Sequence, residues 1–261
     1  MKSSLEIRNF VSQSVYRGSG IGVVMFTDDY CNREGESFQF SKQQGSDFAK
    51  RIAGDFNPLH DVDNSRFCIP GDLLFAVMLS KFGISREMTF DFQGMVSGNM
   101  PICFNESDTN IAAVNDKDKQ VLNVTRNGEI TSNGMFVEGL IRAYVAFSGE
   151  TFPHTIIKLM QQEGMMINTR RPMVIYDQMT LSFERFSESA PQVELQNCHF
   201  DVNGKRGMVV MNFDLLADGE SIGSGQKQII MGGLRPYQQS EIDYLVDTYN
   251  SSKDKFKKTS V

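Results

Sequence analysis

One short stretch of the chain brings an acid, an amide and a histidine together beside residues that bend the backbone. It runs Ala53–Gly54–Asp55–Phe56–Asn57–Pro58–Leu59–His60, and His60 is one of only three histidines in 261 residues. Pro58 lacks a backbone N–H and fixes its own φ, so a helix cannot continue through the stretch. The side chains of Asp55 and His60 can therefore converge on one pocket. Because the pKa of histidine lies near neutrality, such a pair is suited to acid–base catalysis.

A backbone amide is a second candidate group. Pro70–Gly71 precedes a segment that is apolar on nearly every face, and this pattern predicts a buried helix over Gly71–Phe82. The first N–H groups of a helix have no intrahelical partner and lie at the positive end of the helix dipole. The N–H of Gly71 is therefore a candidate donor to an oxygen that gains negative charge during a reaction.

These residues also carry a family resemblance. The pattern Gly-Asp-x-Asn-Pro-Leu-His at Gly54–His60 resembles the signature of the MaoC-like, R-specific enoyl-CoA hydratases, which have the hotdog fold. The resemblance implies reversible hydration of trans-2-enoyl-CoA to 3-hydroxyacyl-CoA, with Asp55 and His60 as the acid–base pair and Asn57 positioning the water or the pair. It further implies that the Gly71 amide polarises the thioester carbonyl, that Gly54 and Pro70 line the substrate, and that no metal or redox cofactor is needed. The whole chain resembles a bacterial family of this length that has no assigned activity.

Alternative functions of the same fold stay open. In acyl-carrier-protein dehydratases a Pro-Gly pair also opens the central helix, but the glutamate that those enzymes carry further along is Val77 here, which favours the hydratase. Whether the acyl group arrives on CoA or on a carrier protein is not decided. A hotdog acyl-CoA thioesterase would require Asp72, since such enzymes use carboxylates near this helix. The protein could instead bind acyl thioesters, or a partner, without catalysis.

Each candidate also has a structural explanation. Asp and Asn side chains commonly accept hydrogen bonds from backbone amides in turns, and an acid is common in the first turn of a helix, as at Asp72. Glu150 and His154 repeat the acid–histidine pair with shorter spacing and no asparagine. We expect them to begin and cap a helix. The alternatives are a degenerate second catalytic site, or that both residues line the same substrate tunnel. His199 stands in an alternating pattern and is expected to be a strand residue.

Periodicity and turn signals predict the elements that would position the candidate site. An early strand is expected over Ile21–Phe26 and a short one over Phe38–Phe40. Ser41 and Gln44 form a capping-box pattern, followed by apolar residues at helical spacing that end at Gly54. The remaining strands of the first half are predicted at Met88–Met95, Met100–Phe104, Gln120–Thr125 and Phe136–Phe147, with a tight turn at Asn127–Gly128.

A second cycle of helix and strands follows the first. A helix is expected over His154–Gln162, and turns at Asn203–Gly204 and Asp218–Gly219. Strands are expected at Met173–Phe186, Val193–Val202, Gly207–Leu216 and Ile222–Met231. The sequence thus predicts an α+β fold, a tandem (double) hotdog in which a curved antiparallel sheet wraps a buried central helix. The expected units are residues 1–147 with the hydratase-like motif, a degenerate second hotdog over 148–237, and 238–261 as a C-terminal helix with a disordered Lys-rich tail.

Composition excludes some functions and leaves others open. A net charge of −6 argues against general nucleic-acid binding, which needs a basic surface. No stretch reads as a signal peptide or a membrane span, and the four scattered cysteines lack metal-site spacing. We therefore expect a cytoplasmic protein with reduced thiols, no metal site and no membrane or nucleic-acid partner. A pseudo-dimeric monomer is possible for a double hotdog, but pairing of exposed sheet edges favours a homodimer.

Overall fold

The architecture is α+β, and the computed structural model describes residues 25–259. The helices are α1 (Lys42–Asp47), α2 (Gly71–Phe82), α3 (Gly134–His154), α4 (Ile156–Gln162) and α5 (Gln239–Thr259). The strands are β1 (Asn32–Glu34), β2 (Ser37–Gln39), β3 (Ile84–Phe92), β4 (Ile102–Glu106), β5 (Asn110–Asn115), β6 (Gln120–Thr131), β7 (Met165–Met166), β8 (Met173–Phe183), β9 (Gln192–Asn203), β10 (Arg206–Ala217), β11 (Glu220–Gly232) and β12 (Arg235–Pro236).

Ten of the strands form one antiparallel sheet. Its order is β1-β2-β4-β5-β6-β3-β8-β11-β10-β9, and β7 pairs separately with β12. The two halves of the chain meet where β3 pairs with β8, in a register that sets Glu87 opposite Ser182 and Asp91 opposite Gln178. The described residues therefore share a continuous sheet that crosses from the first half to the second.

Two long helices pack against this sheet. The seven consecutive residues of α2 from Leu73 to Leu79 are all buried, as its all-round apolar pattern predicts. The ring of Phe75 lies 5.1 Å from that of Phe90 on β3 and 4.9 Å from that of Tyr144 on α3. A buried helix against an antiparallel sheet is the predicted hotdog arrangement, here with α2 and α3 in a common core.

Helix α3 corrects one sequence prediction. Phe136–Phe147 was expected to be a strand because it is rich in aromatic and β-branched residues. It lies inside α3, whose N-cap Asn133 accepts hydrogen bonds from the N–H groups of Met135 and Phe136. The buried positions recur at helical spacing: Phe136, Val137, Leu140, Ile141, Tyr144, Val145 and Ser148. Tertiary packing of this face outweighs the residues' β propensity.

Other boundaries also differ from the prediction. Asn127–Gly128 was predicted as a tight turn but lies within β6, where the pairing with β3 shifts register between Ser85 and Glu87. A bulge accounts for the positive φ of Gly128. Strand β5 was not predicted. The strand expected over Ile21–Phe26 lies mostly outside the described residues, and Phe26 begins a short 3-10 helix that ends at Tyr30.

The C-terminal segment is helical where disorder was predicted. Helix α5 extends through the Lys-rich residues after Ser251 to Thr259. The ring of Phe256 lies 5.7 Å from the ring of Phe56, and the Arg51 guanidinium lies 5.2 Å from the Phe256 centroid. These contacts anchor the end of the helix, so the Lys-rich composition does not leave it unpacked.

The predicted division at residue 147 falls inside α3. Ser148 is a buried residue in the middle of that helix, and a domain boundary normally lies in an exposed connection. We therefore propose that the second unit begins in the connection between β6 and α3. The turns predicted at Asn203–Gly204 and Asp218–Gly219 are confirmed as the links from β9 to β10 and from β10 to β11.

Candidate active site

The chain enters the motif turn from a capped helix. The Ser41 hydroxyl accepts a hydrogen bond from the Gln44 N–H, and the Gln44 side chain accepts one from the Ser41 N–H, which confirms the predicted capping box. After α1 the helix continues as a wider turn over Phe48–Ala53 and ends at Gly54, whose φ of 67° lies in the left-handed region that glycine tolerates. This ending places Asp55 directly after the helix.

Hydrogen bonds within the motif fix the backbone between the acid and the histidine. Asp55 Oδ1 accepts a 2.8 Å hydrogen bond from the Asn57 N–H, and Asn57 Oδ1 accepts one of 3.1 Å from the Leu59 N–H. Pro58–His60 forms a single 3-10 turn that Asn57 caps. The side chain of Asn57 therefore holds the turn, as the structural explanation predicts, although Asn57 also lines the cavity described below.

The structure brings the side chains of Asp55 and His60 together. His60 Nδ1 lies 2.9 Å from the Cys68 carbonyl oxygen, to which it donates, and Nε2 lies 3.7 Å from Asp55 Oδ2. The Cys68 carbonyl fixes the ring orientation. Because 3.7 Å is longer than a direct hydrogen bond, both atoms keep capacity to bond a small molecule that lies beside the pair.

The two side chains of this pair have perturbed pKa values. Burial raises the pKa of the Asp55 carboxyl and Asp72 adds to the increase, whereas His60 and Lys227 oppose it. Burial alone would lower the pKa of His60, but the hydrogen bond to Cys68 and the Asp55 carboxylate raise it to about 9. His60 is therefore protonated at neutral pH, which equips the pair with a proton donor beside a carboxylate.

The pair lies in a cavity of about 650 Å³. Pro70, Gly71 and Asp72 line it together with Asp55 and His60. Most of the wall is apolar, including Phe92, Val96, Met160, Ile167, Ile229 and Met231. The cavity thus combines a polar end that carries the candidate residues with a surface suited to an acyl chain.

Gly71 leaves little room for a side chain. A Cβ at this residue would lie 3.2 Å from Phe92 Cε1 and 3.2 Å from Tyr176 Cδ1, two rings that stack at 4.2 Å. Gly71 begins α2 after Pro70. Its N–H donates to no backbone carbonyl in the described part of the chain, so it is free to donate to a ligand in the cavity.

The remaining predicted residues fall into two groups. Gly54 was expected to line the substrate but is not among the residues that line the cavity; its carbonyl oxygen accepts a 3.0 Å hydrogen bond from the Tyr249 hydroxyl on α5. His154 does not line the cavity and is exposed at the end of α3, as is Glu150. His199 is a strand residue of β9, as predicted, and lies 3.5 Å from Asp201.

Sequence reasoning missed a second polar group at the same end of the cavity. Lys227 donates a hydrogen bond to the Ser148 hydroxyl, which donates a 2.6 Å hydrogen bond to Asp72 Oδ2. Asp72 Oδ1 is buried and has no hydrogen-bond partner within residues 25–259. One signal was available: Lys227 alternates with Gly225, Ile229 and Met231, so it occupies an inward-facing position of β11.

Metal sites, disulfide bonds and membrane-spanning helices are absent from the described residues. Between residues 25 and 259, no group of three His, Cys, Asp or Glu side chains is arranged to hold a metal ion. The four cysteines are free thiols. No helix in the described range has both the length and the apolar character needed to cross a membrane.

One family model matches the sequence, over residues 25–240. The chain belongs to the family described as "Protein of unknown function (DUF3581)". No curated protein sequence matches it. Membership therefore confirms the expected uncharacterised family and assigns no activity.

Several solved structures are similar to the chain at low sequence identity. A conserved protein of unknown function with hot dog fold from Alicyclobacillus acidocaldarius is 11% identical, with a TM-score of 0.44 and coverage of 82% of this chain and 100% of that chain. The tesB protein of Mycobacterium avium subs paratuberculosis is 10% identical, with a TM-score of 0.42 and coverage of 77% and 95%. A MaoC-like dehydratase is 8% identical, with a TM-score of 0.38 and coverage of 77% and 97%. The activities in these names belong to those proteins.

Proposed function

We propose that the protein hydrates trans-2-enoyl thioesters reversibly, with Asp55 and His60 as the acid–base pair. The observation that carries the proposal is the convergence of His60 Nε2 and Asp55 Oδ2, 3.7 Å apart, in a cavity that also exposes the start of α2. A water molecule beside the pair, at hydrogen-bond distance from both atoms, could contact both. The apolar wall would hold the acyl chain.

The reaction can be written with these groups alone. The water oxygen bonds to C3 of the enoyl group while Asp55 takes a proton from that water. The electrons of the C2–C3 double bond move toward the thioester, and the carbonyl oxygen gains negative charge that the Gly71 N–H stabilises. Protonated His60 then gives its proton to C2. Transfer of the proton from Asp55 to His60 restores the pair, and the product is the 3-hydroxyacyl thioester.

The cavity entrance supports CoA as the carrier of the acyl group. Arg66 and Arg170 both line the cavity and are exposed, and neither guanidinium has an ion pair among the described residues. Each arginine lies two residues after an asparagine, Asn64 for Arg66 and Asn168 for Arg170. The side-chain oxygen of that asparagine accepts a hydrogen bond from the backbone N–H of the arginine. Two cations at the entrance would suit the phosphates of CoA.

The test is loss of the enoyl-thioester absorbance with crotonyl-CoA and longer trans-2-enoyl-CoA esters. We expect turnover by the wild type and a loss of roughly a hundredfold or more in Asp55→Asn and His60→Gln. His199→Gln is the matched control, because His199 also lies beside an aspartate but on an exposed strand. Folded wild-type protein that turns over none of these esters would refute the hydratase.

Thioester hydrolysis is the second candidate, favoured by one observation. Asp72 lines the cavity, and its buried Oδ1 has no hydrogen-bond partner in the described part of the chain, so it could accept a proton from an attacking water. The same incubations would then release free thiol, and Asp72→Asn would stop the release while His60→Gln would not. A co-purified acyl thioester that is neither hydrated nor hydrolysed would indicate a binding protein.

A further inference from the structure

A buried lysine lies at the end of the cavity where the thioester carbonyl is placed in the proposed reaction. Lys227 on β11 is 5% exposed and lines the cavity. Its ammonium donates to Ser148 on α3, which in turn donates to Asp72 on α2. Three separate elements therefore hold this ammonium group in place.

The lysine is close to the first amide of α2. The Tyr176 ring lies beside both residues: Lys227 Nζ lies 4.3 Å from its centroid, and a Cβ added at Gly71 would lie 3.2 Å from its Cδ1 atom. Asp72, which Ser148 connects to Lys227, is the next residue after Gly71. An ammonium and a helix N-terminus thus lie at the same end of the cavity, where their charges favour an anionic ligand atom.

A role of Lys227 in balancing the charge of Asp72 would not use all the N–H donors of its ammonium group. An ammonium has three N–H donors, and its only hydrogen bond within the described residues is the one to Ser148. Burial lowers the pKa of Lys227, while Asp72 and Asp55 oppose that decrease. Since an apolar side chain would avoid the desolvation of a charge at this position, the lysine needs a further explanation.

We propose that Lys227 is a further catalytic residue for acyl thioesters, which donates a hydrogen bond to the carbonyl oxygen and stabilises the enolate together with the Gly71 N–H. The assignment rests on the proposed function only in taking an acyl thioester as the ligand. In hydration, the C2–C3 electrons move to the carbonyl oxygen when water bonds to C3, and they return when C2 is protonated. Lys227 keeps its proton throughout and acts by charge and hydrogen bonding.

A purely structural lysine would give a different result with a ligand that forms an enolate without turnover. Acetoacetyl-CoA has no double bond to hydrate, and its enolate absorbs in the ultraviolet. If Lys227 and Gly71 contact the carbonyl oxygen, the bound ligand ionises at lower pH than the free ligand. A lysine that only neutralises Asp72 would leave this ionisation unchanged.

The experiment is a pH titration of acetoacetyl-CoA absorbance with excess full-length protein, with binding measured separately by calorimetry. We expect the wild type to raise the enolate-to-keto ratio roughly ten- to hundredfold at fixed pH, the range for one hydrogen bond to a charged group. Lys227→Met should lose most of this increase, and Lys227→Arg should retain part of it. Lys205→Met is the control, because Lys205 is exposed between β9 and β10.

A second variant covers the case in which Lys227→Met does not fold. The double variant Lys227→Met with Asp72→Asn removes both charges and leaves no unpaired ion. The proposal is overturned if either folded variant keeps the wild-type ratio, or if the wild type binds the ligand without changing its ionisation or does not bind it. If the wild type does not hydrate enoyl-CoA but still raises the enolate-to-keto ratio in a way that depends on Lys227, the hydratase is refuted and the assignment of Lys227 stands.

Discussion

Gly149 on α3 packs directly against the backbone of Ala53, at the end of the helix that leads into Asp55. A Cβ at residue 149 would lie 1.8 Å from the Ala53 carbonyl oxygen, which is far inside van der Waals contact. Only glycine permits this approach. Helix α3 therefore fixes the position of the motif turn through a contact with the backbone of Ala53.

Replacing this glycine should displace the turn. We expect Gly149→Ala to destabilise the protein by about 1–3 kcal/mol or more, because backbone atoms must move to accept the methyl group. Thermal unfolding measures the change. Gly94→Ala is the control, since its Cβ would meet Val121 at an ordinary 3.5 Å. Equal unfolding temperatures for both variants would contradict the close packing of α3.

The raised pKa of His60 predicts a pH-dependent contribution to stability. Its folded-state pKa of about 9 exceeds the ordinary 6.5, so the contribution is complete below 6.5 and disappears as the pH rises through about 9. That difference corresponds to about 3 kcal/mol. We expect His60→Gln to lower the free energy of unfolding more at about pH 6 than at about pH 10. Denaturant unfolding at both pH values, with His199→Gln as the control, measures it; a loss independent of pH would contradict the prediction.

The two explanations of Asn57 predict different activities for variants at this position. If its role is to cap the turn through Oδ1, Asn57→Asp keeps the acceptor and most of the activity, whereas Asn57→Ala loses about 1 kcal/mol of stability and some turnover. If the amide donates to water, Asn57→Asp loses turnover as well. Enoyl-thioester hydration by the two variants distinguishes these outcomes.

Arginines at the cavity entrance should affect CoA esters selectively. We expect Arg66→Gln and Arg170→Gln each to raise KM for an enoyl-CoA roughly two- to fivefold, the range for exposed ion pairs, and the effect should fall with added salt. The same acyl group on N-acetylcysteamine lacks phosphates and should show no change. Arg206→Gln, on the exposed start of β10, is the control. Equal effects on both esters would argue against phosphate binding.

Local signals in the sequence were sufficient to predict the first half of the site. The capping box, Gly54 and Pro58 each act on their own neighbours, so they indicate where the helix ends and where the turn begins. The continuous apolar run of α2 was equally clear, because a helix buried on all sides has apolar residues at nearly every position.

Long-range contacts decided what the sequence could not indicate. Phe136–Phe147 was mistaken for a strand because propensity is local, while the packing that makes it helical comes from other elements. Lys227 and Ser148 are 79 residues apart, and no spacing rule connects a strand lysine with a helix serine. The alternation of β11 could place Lys227 on the inward-facing side of its strand, but its link to Ser148 and Asp72 became visible only in three dimensions.

Helix α5 supplies Leu245, Thr248 and Tyr249 to the cavity wall, and the Tyr249 hydroxyl donates to the Gly54 carbonyl. Synthesis on the ribosome proceeds from the N-terminus, so Asp55 and His60 emerge long before this part of the wall exists. The cavity wall is therefore complete only after α5 has been synthesised and has docked, about 180 residues later in the chain than the reactive pair.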